Sequence, residues 1–386
     1  MDRSDDGDGH FGPYELKWEI GAGGMATVHA ASLPGPGGFE KIVCIKRIRP
    51  EMTETEGFVD SFVNEAKLAA VITHPNVVQV SDLGVASGTY YIAMEYVAGV
   101  DVLTLLQAAG ERGVLLPVVA ATYVARELCE GLDAAHRQGD MSGRPLGIVH
   151  RDVSPQNVLV SYEGQVKITD FGVAKSKMKV MTTMPGLIKG KANYMSPEQA
   201  RGEPVDARTD IFAAGILLHE MLSGEPFYKV SDPARLIARA RKKQPVPPLS
   251  KFRQDVPPPL EAVVQQALQH DPVDRFPTAA EMSYALTEVL NEGGGTYGAT
   301  DLSTLVEWLL DDAEEAPSEP VELDSAPTRV ATADEIRQRR MKRAAGLVVK
   351  PAPPGVVASD ASRAGFGRRL AKLARRFLAA DTQEGG

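Results

Sequence analysis

The stretch HRDVSPQN, residues His150–Asn157, decides how the rest of the chain is read. It places a carboxylate, Asp152, behind a His-Arg pair and follows it five positions later with an amide, Asn157. A second acid, Asp170, opens the tripeptide DFG directly after the apolar run QVKIT. A carboxylate in such a loop suits the orientation and deprotonation of a hydroxyl, and an amide oxygen with a second carboxylate suits a hard cation.

Outward from that loop, composition bounds the answer. With 386 residues and 43% hydrophobic side chains, the chain can bury a sizeable core as one large domain or two ordinary ones. Its 42 basic and 51 acidic residues leave a net charge of -9, so no nucleic-acid partner is expected. Two cysteines, Cys44 and Cys129, and a polar opening MDRSDDGDGH without an apolar signal core point to a reducing, cytoplasmic setting. No run approaches the roughly 18 apolar residues of a membrane span.

Residues 1–12 read as a disordered leader and residues 13–290 as the folded body. Its first part, 13–97, is strand-rich: YELKWEIG, ATVHAAS, KIVCIKRI, VVQVSDLGV and YYIAMEYV are short, β-branched or aromatic, and bounded by turns. One helical pattern, GFVDSFVNEAKLAAVI, lies among them. Over 98–290 the texture is helical, as in AATYVARELCEGLDAAH and TDIFAAGILLHEML. Residues 291–386 read as a linker and charge-polarised tail with short helices: 301–324 hold nine acids and no base, 325–386 thirteen bases and five acids.

The glycine-rich IGAGGMATV follows the first strand, where glycines let a backbone turn and approach phosphates closely. A hairpin turn without a ligand reads equally well at that point. The run VCIK then ends in Lys46 on a strand, with Glu65 nineteen residues on in the helical segment, an arrangement that can set one ammonium on phosphates. Phosphoryl transfer needs these groups together with Asp152, Asn157 and Asp170.

With SPE at Ser196–Glu198 and Asp210 in the same order, the chain resembles the eukaryotic-type (Hanks-type) protein kinases, bacterial serine/threonine members included, over about residues 14–290. The resemblance implies an α+β, bilobal protein kinase fold with a small β-rich N-lobe and a larger helical C-lobe. It implies a serine/threonine protein kinase that uses ATP and Mg²⁺ on protein substrates. Asp152 would be the catalytic acid-base group, with Lys46 and Asn157 beside it, and Asn157 and Asp170 would hold the metal. Nucleotide contacts would come from Ile20, Gly21, Ala22, Gly23, Gly24, Val28, Cys44, Lys46, Glu65 and Leu159, from Met94 as gatekeeper, from the hinge at Glu95 and Val97, and from Asp101 and Asp170. Glu198 would pair with Arg275, and Asp210 would brace the loop at Asp152.

The chain departs from the family at two adjoining places. Ser154 stands where a lysine is usual and Lys191 where a threonine is usual, so Lys191 is expected to supply the displaced ammonium, with Ser154 donating to Asp152. Arg151 implies activation by autophosphorylation on one or both of Thr182 and Thr183. The competing reading, a pseudokinase scaffold acting through its tail, is opposed by the presence of every residue the chemistry needs. The segment FGRRLAKLARRFLAA has an amphipathic stripe that suits protein docking or a membrane surface.

Overall fold

The computed structural model describes residues 10–55, 57–171, 191–230, 232–243, 245–293, 296–311 and 352–358. The sheet lobe comprises β1 (His10–Phe11), β2 (Tyr14–Ala22), β3 (Ala26–Pro34), β4 (Glu40–Ile48), α1 (Pro50–Thr53), α2 (Phe58–Ala70), β5 (Val80–Ala86) and β6 (Thr89–Glu95). The helical lobe begins with β7 (Gly99–Asp101), α3 (Val102–Glu111), β8 (Val114–Leu115), α4 (Val118–His136), β9 (Val158–Ser161) and β10 (Val166–Ile168). It continues with α5 (Pro197–Arg201), α6 (Arg208–Ser223), α7 (Pro233–Ala240), α8 (Pro258–Ala267), α9 (Ala279–Glu292), α10 (Ala299–Leu310) and β11 (Val357–Ala358). The architecture is the expected α+β arrangement of two lobes.

The first sheet is antiparallel in the order β1-β2-β3-β4-β6-β5. Alternation along β4 decides which side faces the site. Val43 and Ile45 enter a core with Phe11, Tyr14 and Tyr91, whereas Cys44 and Ile48 enter another with Phe58, Phe62 and Ala66 of α2. Lys46, on the second of these faces, therefore points toward α2.

In the helical lobe, α6 is buried along nearly its whole length and on every side, which makes it the axis of the large core. The lobes are stitched at Asn76, whose Nδ2 donates to Glu127 Oε2 of α4 (2.8 Å) and to the Val166 carbonyl (2.9 Å). Its own carbonyl accepts from Ile168 N at 2.8 Å. So close a seat needs Gly131 in α4, where an added Cβ would fall 2.7 Å from the Asn76 carbonyl oxygen.

Two boundaries differ from the sequence reading. The sheet begins inside the expected leader, because Phe11 is buried under an edge-on contact with Tyr91. The packed body also continues past Leu290: Leu302, Leu305, Val306 and Leu309 of α10 lie in the same core as α6. The helix rests on the β9–β10 turn, where Gly164 (φ 81°) leaves room for the Ala299 carbonyl and Ser303 Oγ donates to the Tyr162 carbonyl at 2.6 Å. Among the described residues no helix is long and apolar enough to cross a membrane. The amphipathic segment around Phe366–Phe377 lies outside the described residues.

Because α10 is core and not linker, Leu305→Ala is expected to lower the unfolding free energy by about 2–5 kcal/mol, read as a reduced midpoint in a denaturant titration. A loss within experimental error would show that α10 is only loosely held.

Candidate active site

The cleft between the lobes collects the charged residues singled out in the sequence. Lys46 Nζ donates to Glu65 Oε1 of α2 at 2.9 Å and to Asp170 Oδ1 at 2.8 Å. Burial by itself would lower the lysine's pKa, but the Asp170 and Glu65 carboxylates overcome it and raise the pKa, so the ammonium stays charged. Beside it a small cavity of about 20 Å³ is lined by Ala66, Ala69, Val80, Ile92 and Met94.

Asp170 is one of the few non-glycine residues with left-handed backbone, at φ 59°. Such a conformation costs about 1–3 kcal/mol and persists only where its surroundings fix it. Lys46 fixes its carboxylate, and the neighbouring Phe171 is buried against the His150 ring at 4.7 Å. The buried His150 is kept below the usual imidazole range by burial. Its Nε2 donates to the Thr169 carbonyl at 3.0 Å while Nδ1 accepts from Asp152 N at 3.2 Å, a pattern that a neutral ring satisfies.

Arg151, at φ 64°, also has left-handed backbone. Its N–H and that of His150 both donate to the Asp210 carboxylate at 2.8 Å, and its carbonyl accepts from Gln199 Nε2 at 3.1 Å. With Arg151 fixed on both sides, Asp152 follows at a set position. Asn157 Nδ2 donates to the Asp152 carbonyl at 2.7 Å and to its Oδ2 at 3.0 Å. The Ser154 hydroxyl does not make the expected bond to Asp152: it is buried and has no hydrogen-bond partner among the described residues. Lys191 opens a 3₁₀ turn, Lys191–Tyr194, but its side chain lies outside what the structure describes, as do Thr182 and Thr183.

Of the residues expected around a nucleotide base, Cys44 and Met94 are cross-strand neighbours in one apolar cluster. Val28, Val97 and Leu159 pack against it, the last from the helical lobe. Burial, with the Asp170 carboxylate adding, pushes the Cys44 thiol up to about 12, leaving it an inert wall residue. Ile20, Gly21 and Ala22 are the exposed end of β2, and Gly23 and Gly24 lie in the exposed turn that follows it. An added Cβ at Gly21 would stand in open space, so the fold does not require glycine there. Asp101 is the N-cap of α3, accepting from Thr104 N at 2.8 Å and Thr104 Oγ1 at 2.6 Å. Glu95 extends its side chain to Lys167 Nζ at 3.0 Å.

On the far side of Asp152, Glu198 and Arg275 form a buried two-pronged pair at 2.7 and 2.8 Å. Burial works against the carboxylate, but Arg275 holds it below its ordinary range. Tyr194 Oη donates to Glu220, whose carboxyl burial pushes up to about 7.

The sequence reading passed over Lys167, Asn76 and Gln199. The last carried a legible signal, since Ser196 and Gln199 make an S-x-x-Q capping box, with Gln199 N donating to Ser196 Oγ at 3.3 Å and Ser196 N to Gln199 Oε1 at 3.0 Å.

The sequence profile of the protein kinase domain matches residues 14–285. This chain belongs to the protein kinase domain family. It is 43% identical over 297 residues to a protein named tyrosine-protein kinase MasK of Myxococcus xanthus, covering 77% of this chain and 46% of that one. It is 38% identical to the serine/threonine-protein kinase PknB of Mycolicibacterium smegmatis, covering 72% and 43%. It therefore spans less than half the length of these relatives. The crystal structure of the Mycobacterium tuberculosis PknI kinase domain superposes with a TM-score of 0.55 at 28% identity, covering 73% of this chain and 98% of that one.

Gln199 contacts no reacting group and acts by fixing the strained Arg151. Gln199→Ala is expected to lower the turnover of phosphate transfer by about tenfold, the equivalent of one lost hydrogen bond of about 1.5 kcal/mol, while nucleotide affinity stays the same. Turnover equal to wild type would reduce Gln199 to a helix cap.

Proposed function

We propose that this chain is an active serine/threonine protein kinase that moves the γ-phosphoryl group of ATP to a protein hydroxyl. The observation that carries the reading is Lys46 Nζ held at 2.9 Å from Glu65 and 2.8 Å from Asp170, within a fold shared with protein kinases. A pseudokinase would have no use for this charged and strained constellation. In the proposed reaction Asp152 orients the substrate hydroxyl and accepts its proton as the oxygen bonds to the γ-phosphorus. The bond from that phosphorus to the β-phosphate oxygen breaks, releasing ADP.

The chain's own groups suit both the nucleotide and the metal. Open space at Gly21 admits a phosphate beside the backbone, and the Cys44–Met94 cluster offers an apolar wall to a base. Asn157 spends both its described donor contacts on Asp152, which leaves its amide oxygen to join the Asp170 carboxylate as hard ligands. Among the described residues no three His, Cys, Asp or Glu side chains converge into a cage. One carboxylate and one amide oxygen suit Mg²⁺, which binds through few protein ligands and the substrate phosphates and would neutralise phosphate charge there.

Serine/threonine specificity is supported by the names of most relatives. A tyrosine reading is favoured by the name of the Myxococcus relative. Phosphoamino-acid analysis of a generic protein substrate separates them: phosphoserine and phosphothreonine are expected, and phosphotyrosine alone would transfer the assignment.

Lys46→Met and Asp170→Asn are each expected to reduce transfer by more than about a hundredfold while the protein stays folded, read as an unchanged circular dichroism spectrum, since both act on phosphate charge. Near-normal transfer by either variant would overturn the reading.

The buried, unpartnered Ser154 hydroxyl bears on the missing loop lysine. We place the compensating ammonium on Lys191. Lys191→Thr should cut transfer by roughly ten- to a hundredfold, the scale of a charge-assisted contact of about 1.5–3 kcal/mol. Adding Ser154→Lys should restore much of it, because neighbours sharing one interaction are not additive. A double variant no better than the single one would show that the charge has not moved.

A further inference from the structure

Residues 1–300 carry 29 Lys and Arg against 37 Asp and Glu, a net of -8. Within this acidic body, residues 233–254 hold seven bases and no acid. Arg253 is buried and paired with Asp255, but Arg235, Arg239, Arg241, Lys242 and Lys243 are all exposed on α7 and the turn that follows it.

A solvated helix usually spaces such charges with acids at i,i+4, whereas α7 has no acid beyond its N-cap Asp232, which accepts from Arg235 N at 2.8 Å. Arg235 and Arg239 stand one turn apart with like charge, an arrangement that destabilises a helix. Arg235 also sits in the first turn, where the helix dipole disfavours a cation. Only the cations at the C-terminal end are placed as the dipole would have them. The inner face is ordinary: Leu236 and Ala240 belong to the core, and Arg241 Nε ties the helix end to the Ala200 carbonyl at 2.6 Å.

The surrounding potential extends beyond the helix. His270 Nε2 accepts from Arg201 Nη1 at 3.0 Å, and the ring is held below the usual imidazole range by burial and then by the cations Arg201, Arg275 and Lys243. Helix α7 packs against α5 and against the Lys191–Tyr194 turn. The positive face thus adjoins the segment that leads from Asp152's neighbourhood toward Glu198.

We propose that this cationic face, centred on Arg235, Arg239 and Lys243, is a docking surface for an acidic segment of the protein substrate. The partner must be acidic because attraction at such a face is chiefly electrostatic, and an acidic segment relieves the like-charge repulsion that the bare helix retains. Docking beside the transfer site raises the local concentration of the substrate's hydroxyl without touching the chemistry. The role of substrate rests on the kinase reading; the binding itself does not.

The test uses the full chain and a fluorescent peptide of repeated Glu-Asp-Gly, followed by anisotropy. The wild-type protein is expected to bind it with an affinity that falls as salt rises. The triple reversal Arg235→Glu, Arg239→Glu, Lys243→Glu should weaken binding at least tenfold, of order 1.4 kcal/mol. Circular dichroism should be unchanged, since all three side chains are exposed. In transfer assays the reversal should raise the KM of an acid-tagged protein substrate by a similar factor, leaving kcat and the turnover of a neutral peptide as they were. Equal affinity of variant and wild type would overturn the proposal and assign the peptide to the basic residues of 325–386. No binding by the wild type would also overturn it, by showing that the face does not recognise acidic chain or is already covered by the protein's own acidic stretch. Loss of docking with normal transfer to the neutral peptide, or the reverse, keeps this proposal separable from the proposed activity.

Discussion

The carboxylate of Asp210 is the constraint on which the site depends. It is wholly buried in the first turn of α6, where the helix dipole favours an anion. A buried charge is tolerated only when its acceptor capacity is filled, and here His150 N, Arg151 N and His136 Nε2 all lie at 2.8 Å. Those bonds hold the loop so that Arg151 accepts left-handed backbone, and Asp152 and Asn157 follow from it. His150, fixed by the same carboxylate, then supports Phe171 and the Thr169 carbonyl, and through them Asp170. A single anion in the helical lobe therefore sets the positions of both acids.

Glu198 and Arg275 repeat the device on the other side of α6. Thr209, next to Asp210, donates to Glu198 Oε1 at 2.7 Å, and Arg275 Nη1 reaches the Arg208 carbonyl at 2.9 Å. Removing either partner of such a pair leaves an uncompensated buried charge, which costs about 3–5 kcal/mol. Because both networks are rooted in the first turn of the most buried helix, the loop at Asp152 and the segment at Ser196–Glu198 move as one unit. Gln199 joins the two directly through the Arg151 carbonyl.

The parts of this arrangement that were legible in sequence are those whose chemistry is local. Alternation along β4 placed Lys46 on one face, and helical spacing placed Glu65 on α2. Motif order carried Asp152, Asn157, Asp170, Glu198 and Asp210. Harder to read were residues whose partners are distant in the chain. Asn76 reads as a turn residue, yet it joins α4 and β10, and Lys167 reads as a strand charge, yet it finds Glu95. The extent of the body was misjudged because the glycine run before α10 and the acidic count over 301–324 hid its stripe, Leu302, Leu305, Val306 and Leu309. The bond to Asp152 expected of the Ser154 hydroxyl is absent, and Asn157 Nδ2 reaches Oδ2 of that carboxylate.

How the lobes can move follows from the unequal strength of their connections. The bond network of Asn76 is buried and backbone-rich, with Val78 N also donating to the Ile168 carbonyl at 2.9 Å. It behaves as a fixed pivot. The Lys167–Glu95 pair is different, because Lys167 is buried but the Glu95 side chain is 35% exposed. The solvent-facing Glu95 end of that pair can yield with water replacing it, whereas loosening Asn76 strands buried polar groups on both sides. Lys46 lies between them, bonded to Glu65 on the sheet lobe and to Asp170 at the edge of the helical lobe. The Lys46 ammonium therefore joins the two lobes as well as holding Asp170 in its left-handed backbone.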